Sequence, residues 1–415
     1  MWVPADIAAI EEAIADGRLE ETSSFDGKRE LPGPKKNASA AVDIAAMSTA
    51  GGVLLYGVGE DEHKRLTVRS PIALVGAADR LDQIVQTSIT EVPHVEFREY
   101  PLPDNQAHGF LLVIVPPSPR APHQVTVNND RRFYGRGEKG NRLLSEAEVA
   151  ALYARRQHQE VDLRARLAEA IAHVPYRPTD HDLGVLYAIA QPVPPDQGLW
   201  DRAEIAAGTR AKLQERIHAA ARNAARLVPN GNSGFGGLVH WHAEGADAFR
   251  MSSEHEDPPC EEAGNYMTAA TVNIDGRAVL YSPGSSQVIA ENAHDTNPLK
   301  YILELNIAGS VVAFVAAVGE LYAAASYYGA VDLGVTIVGL QGGVGMAQFA
   351  RSNMPPILAR RHAIAYNAPT FTRVHRLSAA SELADAQAVT VKLVGRLLQA
   401  TSLREDYSPF PTAPS

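Results

Sequence analysis

Cysteine is nearly absent from the chain, which has one among its 415 residues, Cys260. A single thiol excludes an intramolecular disulfide and any zinc site built from several cysteines. Free cysteines are commonly buried and inert, and we expect this of Cys260. Low cysteine use is typical of proteins in a reducing cytoplasm, which is the location we expect.

Long hydrophobic runs are also lacking. The strongest candidate lies between Glu304 and Glu320 and contains 15 residues, fewer than the roughly 20 that a helix needs to cross a bilayer. We therefore predict a buried core helix there and no membrane partner. The segment MWVPADIAAIEEAIADG lacks the basic start and the continuous apolar stretch of a signal peptide.

Positive charge is in deficit, with 38 Lys and Arg against 48 Asp and Glu and a net charge of −10. A protein that coats nucleic acid over its whole surface would be basic, so this class is excluded. Any basic surface has to be a patch. From Arg120 to Arg142 there are six basic and two acidic residues, and from Lys28 to Lys36 there are four basic and one acidic.

Nucleotide-binding motifs are missing as well. The segment from Gly339 to Gly345 follows a predicted strand, but it lacks the Lys-Ser/Thr pair of a P-loop and the third glycine of a dinucleotide fingerprint. We therefore predict no nucleotide cofactor. His240 and His242 alternate around Trp241, a pattern that we interpret as packing or surface rather than metal binding.

The patterns that are present predict an α+β protein. In its first part we expect a mixed sheet of about five or six short strands with helices packed against it, and GFLLVIV as the central strand. Gly51 and Gly52 separate a predicted helix from a buried strand, where positive φ and close backbone approach are needed. Ser145 and Glu148 have the spacing of a capping box at the start of a further helix.

We predict the following organisation: an N-terminal helix at 1–19, a first domain at 20–153, a helical linker at 154–178, an α+β C-terminal domain at 179–405 and a disordered tail at 406–415. The boundary is expected in the segment PYRPTDHD. The C-terminal domain should contain a helix near 201–226 and a long buried helix from about Leu299 to Ala325. Its predicted role is sensing, oligomerisation or modulation of the first domain.

Three separated pieces of the first domain resemble the Schlafen/Alba-type nucleic-acid-binding domain. They are ETSSFDGK from Glu21, AAMSTAGGVLLYGV from Ala45, and IVPPSPRAPH followed by FYGRGEKGNRLLSEAEVAAL. The family shows Glu-Ser-x-x-hydrophobic-Glu-Phe-Lys, then a helix end with Gly-Gly and a strand ending in Gly-Val, then a Val-Pro-x-Ser turn, Tyr-x-Arg-x-Gly and a closing helix. The resemblance covers about a third of the chain.

The resemblance implies a metal site at three acids. Nuclease members of the family hold a divalent metal with two acids near the start of the domain and a third after the Gly-Val strand. The matching residues here are Glu21, Asp26, and Glu60 or Asp61, so Glu21, Asp26 and Glu60 are the predicted metal ligands and catalytic residues for Mg²⁺ or Mn²⁺. The chain departs from the family pattern at Asp26, Gly27, Ser48 and Gly59-Glu60, where the family has Glu, an aromatic residue, Asn and two acids.

The basic stretches supply the predicted nucleic-acid contacts. If they share a face, they form a phosphate-binding stripe on an acidic protein. Phe133 and Tyr134 lie among the arginines, so base stacking is possible. The predicted binding residues are Lys28, Arg29, Arg120, Arg131, Arg132, Tyr134, Arg136 and Arg142. A solvated, charged β-ribbon with one aromatic side chain facing the core explains the same residues.

Two functions remain open from the sequence. The first is a nucleic-acid-binding protein of prokaryotic Schlafen-like type, with RNA or DNA as partner and with homo-oligomers formed through the C-terminal domain. The alternative is a metal-dependent endoribonuclease that cleaves tRNA or other structured RNA in phage defence. The acidic residues discriminate between them.

Overall fold

The structure is a computed structural model that describes residues 2–33, 37–127, 130–137, 140–174, 183–229, 240–243, 247–253, 265–289, 298–349 and 363–410. The chain divides into two compact units, Met1–Val161 with Tyr328–Ala330, and Asp162–Tyr327 with Val331–Ser415. Both contain helices and strands, so the predicted α+β class is confirmed. The predicted boundary segment, 175–182, lies outside the described residues, and the predicted domain bounds stay predictions.

The first unit contains the following described elements. Its helices are α1 (Ile7–Ala15), α2 (Asn37–Met47), α3 (Ala77–Ser88) and α4 (Glu146–Ala172), the last of which continues into the second unit. Its strands are β1 (Phe25–Lys28), β2 (Gly52–Tyr56), β3 (Val58–Glu60), β4 (Leu66–Arg69), β5 (Ile72–Ala73), β6 (Ile89–Thr90), β7 (Glu96–Pro101), β8 (His108–Val115), β9 (Gln124–Val127), β10 (Asp130–Gly137) and β11 (Gly140–Leu143).

The strands of the first unit form separate sheets. β1, β2, β8 and β5 lie side by side in that order, and β7 also pairs with β8. A second sheet has the order β11, β10, β9 and β6, and β3 pairs with β4. The predicted mixed sheet is confirmed, because β1 and β2 are parallel and the other pairs of this five-stranded sheet are antiparallel. The sheet of β6, β9, β10 and β11 is an addition that the sequence did not predict.

β8 is the central strand of its sheet, as the apolar run GFLLVIV predicts. Alternate side chains of a strand point to opposite faces of the sheet. Leu111 and Val113 belong to the hydrophobic core beneath α2 and α3, whereas Leu112 and Ile114 belong to the core beneath α1. The sheet thus separates two cores, and polar groups on β1 must face one or the other.

The glycine pair between α2 and β2 has the predicted role. Gly51 has a φ of +86°. A Cβ atom on Gly52 would lie 2.9 Å from Met47 Sδ and 3.0 Å from the carbonyl oxygen of Ser24. The predicted positive φ and close backbone approach are both confirmed. The two glycines are therefore explained by the tight connection between α2 and β2.

The second unit contains a large mixed sheet and a buried helix. Its described helices are α5 (Leu199–Ala207), α6 (Arg210–Ala225), α7 (Glu304–Ala324) and α8 (Ala386–Ser402). Its described strands are β12 (Gly184–Val193), β13 (His240–Ala243), β14 (Ala248–Ser252), β15 (Ala269–Asn273), β16 (Ala278–Ile289), β17 (Leu299–Ile302), β18 (Ala330–Val338), β19 (Val344–Gly345) and β20 (Thr370–Leu377). The sheet order is β13-β14-β15-β16-β12-β18-β20, with β17 between β16 and β19.

α7 is the core helix that the sequence predicts. Among the described residues it is the one helix long and apolar enough to cross a membrane, and 78% of its apolar window is buried inside the protein. Such burial is what a core helix of a soluble protein shows, since a membrane helix would offer its apolar surface to lipid. The helix packs with α5, α6 and α8 in one continuous hydrophobic core.

Three details of the second unit correct the sequence predictions. α7 begins at Glu304 rather than near Leu299, because Leu299–Ile302 pairs with β16 as a strand. The helix predicted near 201–226 is two helices, because Gly208 ends α5 with a φ of +78° and Thr209 caps α6. The tail predicted to be disordered is packed as far as Phe410, whose buried ring joins the core.

Candidate functional site

β1 points one acid and one base toward α2. The strand pairs in parallel with β2, with Asp26 opposite Leu54 and Lys28 opposite Tyr56. Leu54 and Tyr56 belong to the core beneath α2 and α3, so Asp26 and Lys28 face the same side. Phe25 faces the other core with α1.

A second buried acid, Asp43 on α2, meets Asp26 there. Each residue is 4% exposed. The sequence analysis missed Asp43, although there was a signal: it is the only charged residue in a helix made almost entirely of small and apolar side chains. A lone charge in such a helix indicates a buried carboxylate with dedicated partners.

Two basic side chains neutralise these acids. Lys28 Nζ lies 3.0 Å from Asp26 Oδ1 and 3.6 Å from Asp43 Oδ2. Arg136 Nη1, from β10, lies 3.0 Å from Asp26 Oδ2. We call Asp26, Lys28, Asp43 and Arg136 the buried charge cluster. Buried carboxylates are tolerated when cations and hydrogen-bond donors surround them in this way.

The pKa shifts in the cluster follow from its burial. Burial raises the pKa of Asp43 above its usual value, although Lys28 opposes this. Burial alone would lower the pKa of Lys28, but Asp43 and Asp26 outweigh it and raise that pKa. Tyr56 lies beside both acids, and burial together with their charges raises the pKa of its hydroxyl. The ammonium of Lys28 is therefore held in its charged form.

Glu21 and Glu60 lie at the exposed margin of the cluster. The pKa of Glu21 is raised, first by partial burial and then by the nearby charge of Asp26, with a smaller contribution from Glu60. The three acids predicted from the sequence are therefore close enough to influence one another. They differ in environment, because Asp26 is buried and the other two are exposed.

These residues, as they are placed, do not fit a divalent metal ion. A metal needs carboxylate oxygens that are open to it, but Lys28 and Arg136 each hold one oxygen of Asp26. Within the described residues, no three His, Cys, Asp or Glu side chains converge into a group that would hold a metal. The metal roles of Glu21, Asp26 and Glu60 stay predictions, and we derive no step through a metal.

Asp61, the alternative third acid, organises a turn between β3 and β4. Its Oδ1 accepts hydrogen bonds from the backbone N–H groups of His63 and Arg65, at 2.8 and 2.9 Å. Its Oδ2 accepts one from the hydroxyl of Thr67 at 3.0 Å. These donors hold the pKa of Asp61 at about 2, so its role here is to shape the turn.

β10 divides the predicted binding residues between its two faces. Arg131 and Phe133 lie on one face, and Arg132, Tyr134 and Arg136 lie on the other, because side chains alternate along a strand. Arg132 pairs in register with the buried Val125, which identifies the second face as the one toward the core. Arg131 and Arg132 are both exposed, but they point in opposite directions.

Burial distinguishes the members of the predicted stripe. The side chain of Arg136 is 6% exposed, and Tyr134 packs against the core beneath α2 and α3. The guanidinium of Arg136 is thus inside the domain, and Tyr134 is partly buried on the side of β10 that faces the core. Arg142 is exposed but donates two hydrogen bonds to Glu148.

The outer face of β10 carries an aromatic pair, of which the sequence indicated Phe133 but not Tyr153. The rings of Phe133 and Tyr153 meet edge to face with centroids 6.1 Å apart, and Tyr153 on α4 is exposed. Arg131 lies two positions from Phe133 on the same face. The alternation RRFY is typical of a strand with one aromatic side chain on each face. The structure shows that Tyr134 faces the core and Phe133 faces outward.

Comparison with protein families finds a match to part of the first unit. A family model described as Schlafen, AlbA_2 matches residues 21–145. No curated protein and no solved structure matches the chain. The matched range contains the three sequence motifs almost in full, the buried charge cluster and β10 with its exposed arginines. The N-terminal part of this chain is therefore a Schlafen/AlbA_2 domain, a family that suggests a nucleic-acid-related function.

Proposed function

We propose that the Schlafen/AlbA_2 domain binds RNA or DNA through exposed basic side chains on and around β10. The observation that supports this best is the outer face of β10, where Arg131 is exposed beside the Phe133–Tyr153 pair. The side chain of Arg131 has no partner among the described residues. An outward guanidinium next to aromatic rings is the arrangement that binds phosphates and stacks bases.

Other exposed arginines of the domain would add phosphate contacts outside this face. They are Arg29, Arg120 and Arg132, and Arg132 points away from Arg131 because the two are consecutive on β10. Lys28 and Arg136 contribute through the buried charge cluster rather than by direct contact. Base stacking is assigned to Phe133 and Tyr153 rather than to Tyr134, because Tyr134 is partly buried against the core.

The test compares binding by the wild type and two variants of the full chain. Labelled tRNA and labelled single-stranded DNA are titrated and followed by fluorescence anisotropy at fixed salt. We expect Arg131→Ala to weaken binding about fivefold to tenfold, as removal of one charged group from an interface does. Arg18→Ala is the matched control, because Arg18 is an exposed arginine of the first unit that pairs with Glu12 and Asp16. Equal affinities for all three proteins would refute this surface.

A cleavage assay addresses the alternative, a metal-dependent endoribonuclease. The same nucleic acids are incubated with Mn²⁺ or with EDTA and separated on gels. We expect binding to persist in EDTA and no Mn²⁺-dependent products to form, because the cations of the protein hold Asp26. Products that need Mn²⁺ and disappear with Glu21→Ala would establish the nuclease instead.

Cellular location and assembly complete the proposal. We infer a cytoplasmic protein from its single cysteine, with homo-oligomers formed through the second unit; phage defence belongs to the alternative, the endoribonuclease. Light scattering on the purified chain measures its oligomeric state. A monomer at all concentrations would refute the assembly.

A further inference from the structure

β10 and β11 pair as an antiparallel hairpin whose described residues are 130–137 and 140–143. β11 contributes no buried side chain, and Leu143 is 49% exposed. A strand that buries nothing gains little from the hydrophobic effect, so other interactions must fix its position. Two side chains of the hairpin supply them, Arg136 and Asn141, which lie opposite each other in register.

Arg136 ties the hairpin to β1 and to the chain before it. Its Nη1 donates to Asp26 Oδ2 at 3.0 Å, and its Nη2 donates to the carbonyl oxygen of Thr22, also at 3.0 Å. Nη1 lies 3.2 Å from Asn141 Oδ1 as well. One guanidinium thus joins both strands of the hairpin to the residues that precede and form β1.

Asn141 ties the hairpin to α2. Its Nδ2 donates to Asp43 Oδ1 at 2.5 Å, while Lys28 Nζ lies near the other oxygen of the same carboxylate. Asp26 and Asp43 therefore each bind one residue of the hairpin and share Lys28. The four oxygens of the two carboxylates are distributed among Arg136, Asn141 and Lys28.

A buried set of ion pairs is a poor source of net stability, because removing charges from water costs about as much as their attraction returns. Such ion pairs are better suited to specify one arrangement of the elements they join, because a shift of one element would leave a charge buried without a partner. β10 also pairs with β9 and places Tyr134 against the core, but β11 buries no side chain, so these ion pairs and hydrogen bonds help to determine where it lies.

We propose that Asp26 and Asp43 are positioning residues: they hold β10 and β11 through Arg136 and Asn141, with Lys28 as the resident cation between the two carboxylates. The hairpin carries Arg131 and Phe133, so its position sets the geometry of the proposed binding surface. The effect of the hairpin's position on nucleic-acid binding rests on the proposed function, but the anchoring of the hairpin is a property of the unbound protein.

The anchoring is tested by amide hydrogen exchange of the unbound full chain, read by mass spectrometry. Asn141→Ala removes the hydrogen bond to Asp43 and leaves all four cluster charges paired, so the domain should still fold. We expect exchange in peptides covering the hairpin to accelerate at least tenfold, with no change in peptides covering β2 and β8. The matched control is Asn105→Ala, an exposed asparagine of another turn in the same unit, which should leave the hairpin unchanged.

Two further measurements separate this inference from the proposed function. We expect Asn141→Ala to weaken nucleic-acid binding, whereas Arg131→Ala weakens binding without changing hairpin exchange. Unchanged hairpin exchange in both Asn141→Ala and Arg136→Met would overturn the anchoring, whatever the binding result. Absence of binding by the wild type, with accelerated exchange in Asn141→Ala, would refute the binding surface alone.

The role of Lys28 as the resident cation is tested by a separate measurement. Millimolar Mn²⁺ added to the wild type should not alter amide exchange in peptides covering residues 21–28, because Lys28 and Arg136 already hold Asp26. Increased protection there on adding Mn²⁺, abolished in Glu21→Ala, would show that a metal displaces the lysine and would overturn this part of the proposal.

Discussion

At the scale of single residues, burial decides what each charge does. Arg131 and Arg136 lie on the same strand, yet one is exposed and the other pairs with Asp26 inside the domain. A buried guanidinium that loses its partner is costly, whereas an exposed one is nearly neutral for stability. The first kind of arginine organises structure, and the second kind is available to a ligand.

Glu304 is the buried acid of the second unit. It is the first residue of α7 and is 2% exposed, and its Oε2 accepts a hydrogen bond from the N–H of Ala347 at 3.3 Å. Burial raises its pKa to about 7. A Cβ on Gly345 would lie 2.3 Å from Glu304 Oε1, so this glycine permits close packing around the carboxyl group.

The pH dependence of stability should report on Glu304. Its pKa in the folded protein, about 7, lies above the ordinary value of 4.5. The folded state therefore binds the proton more tightly, and this stabilisation is complete below pH 4.5 and is lost as the pH rises through about 7. We expect Glu304→Gln, which imitates the protonated form, to remove up to about 3 kcal/mol of pH-dependent stability between about pH 5 and 8. Urea unfolding of both proteins at about pH 5 and about pH 8 measures the free energy of unfolding. The same pH dependence in Glu304→Gln and the wild type would contradict this role of Glu304.

At the scale of elements, local sequence determines where helices begin. Ser145 and Glu148 form the predicted capping box at the start of α4. The N–H of Ser145 donates to Glu148 Oε2 at 2.9 Å, and the N–H of Glu148 donates to Ser145 Oγ at 3.4 Å. These bonds satisfy backbone donors that have no partner within the helix.

Removing this cap should destabilise α4. We expect Ser145→Ala to lower the free energy of unfolding by about 1 kcal/mol, because a backbone donor loses its acceptor. Ser145→Asp retains an acceptor and should keep most of the stability. Urea unfolding followed by circular dichroism measures both. Equal losses of stability in the two variants would show that the cap is not the cause.

At the scale of the whole molecule, binding has to overcome a net charge of −10. Long-range attraction to nucleic acid is therefore weak, and the local arginines must supply the favourable electrostatic free energy. Salt weakens such binding by reducing the free energy gained from counterion release. Affinity should depend steeply on salt, although the protein as a whole is acidic.

The salt dependence of binding should report how many phosphates the protein neutralises. On single-stranded nucleic acid, each neutralised phosphate adds about 0.7 to the slope of log affinity against log salt. We expect Arg131→Ala combined with Arg132→Ala to reduce the slope by about 0.7 for each phosphate that is no longer neutralised, while Arg18→Ala leaves it unchanged. Titrations at several salt concentrations measure the slope. The same slope in the double variant and the wild type would place the phosphate-binding residues elsewhere.

Features that depend on neighbours along the chain could be predicted from the sequence alone. The helix cap at Ser145, the tight connection at Gly51 and Gly52, the central strand GFLLVIV and the buried helix α7 are all confirmed. Capping, positive φ and strand alternation are properties of a few consecutive residues. The family resemblance rests on the same kind of ordered local motifs.

Which side chains meet across the fold depends on tertiary packing and could not be predicted in this way. Asp43 and Asp26 belong to different elements, and strand pairing with helix packing brings them together around Lys28. The same packing buries Arg136 and leaves Arg131 outside. In the sequence the two arginines carry the same charge. The cost of burying the charge of Arg136 depends on Asp26, which lies more than a hundred positions away along the chain. The basic stripe predicted from the sequence is therefore divided into an internal anchor and an external surface.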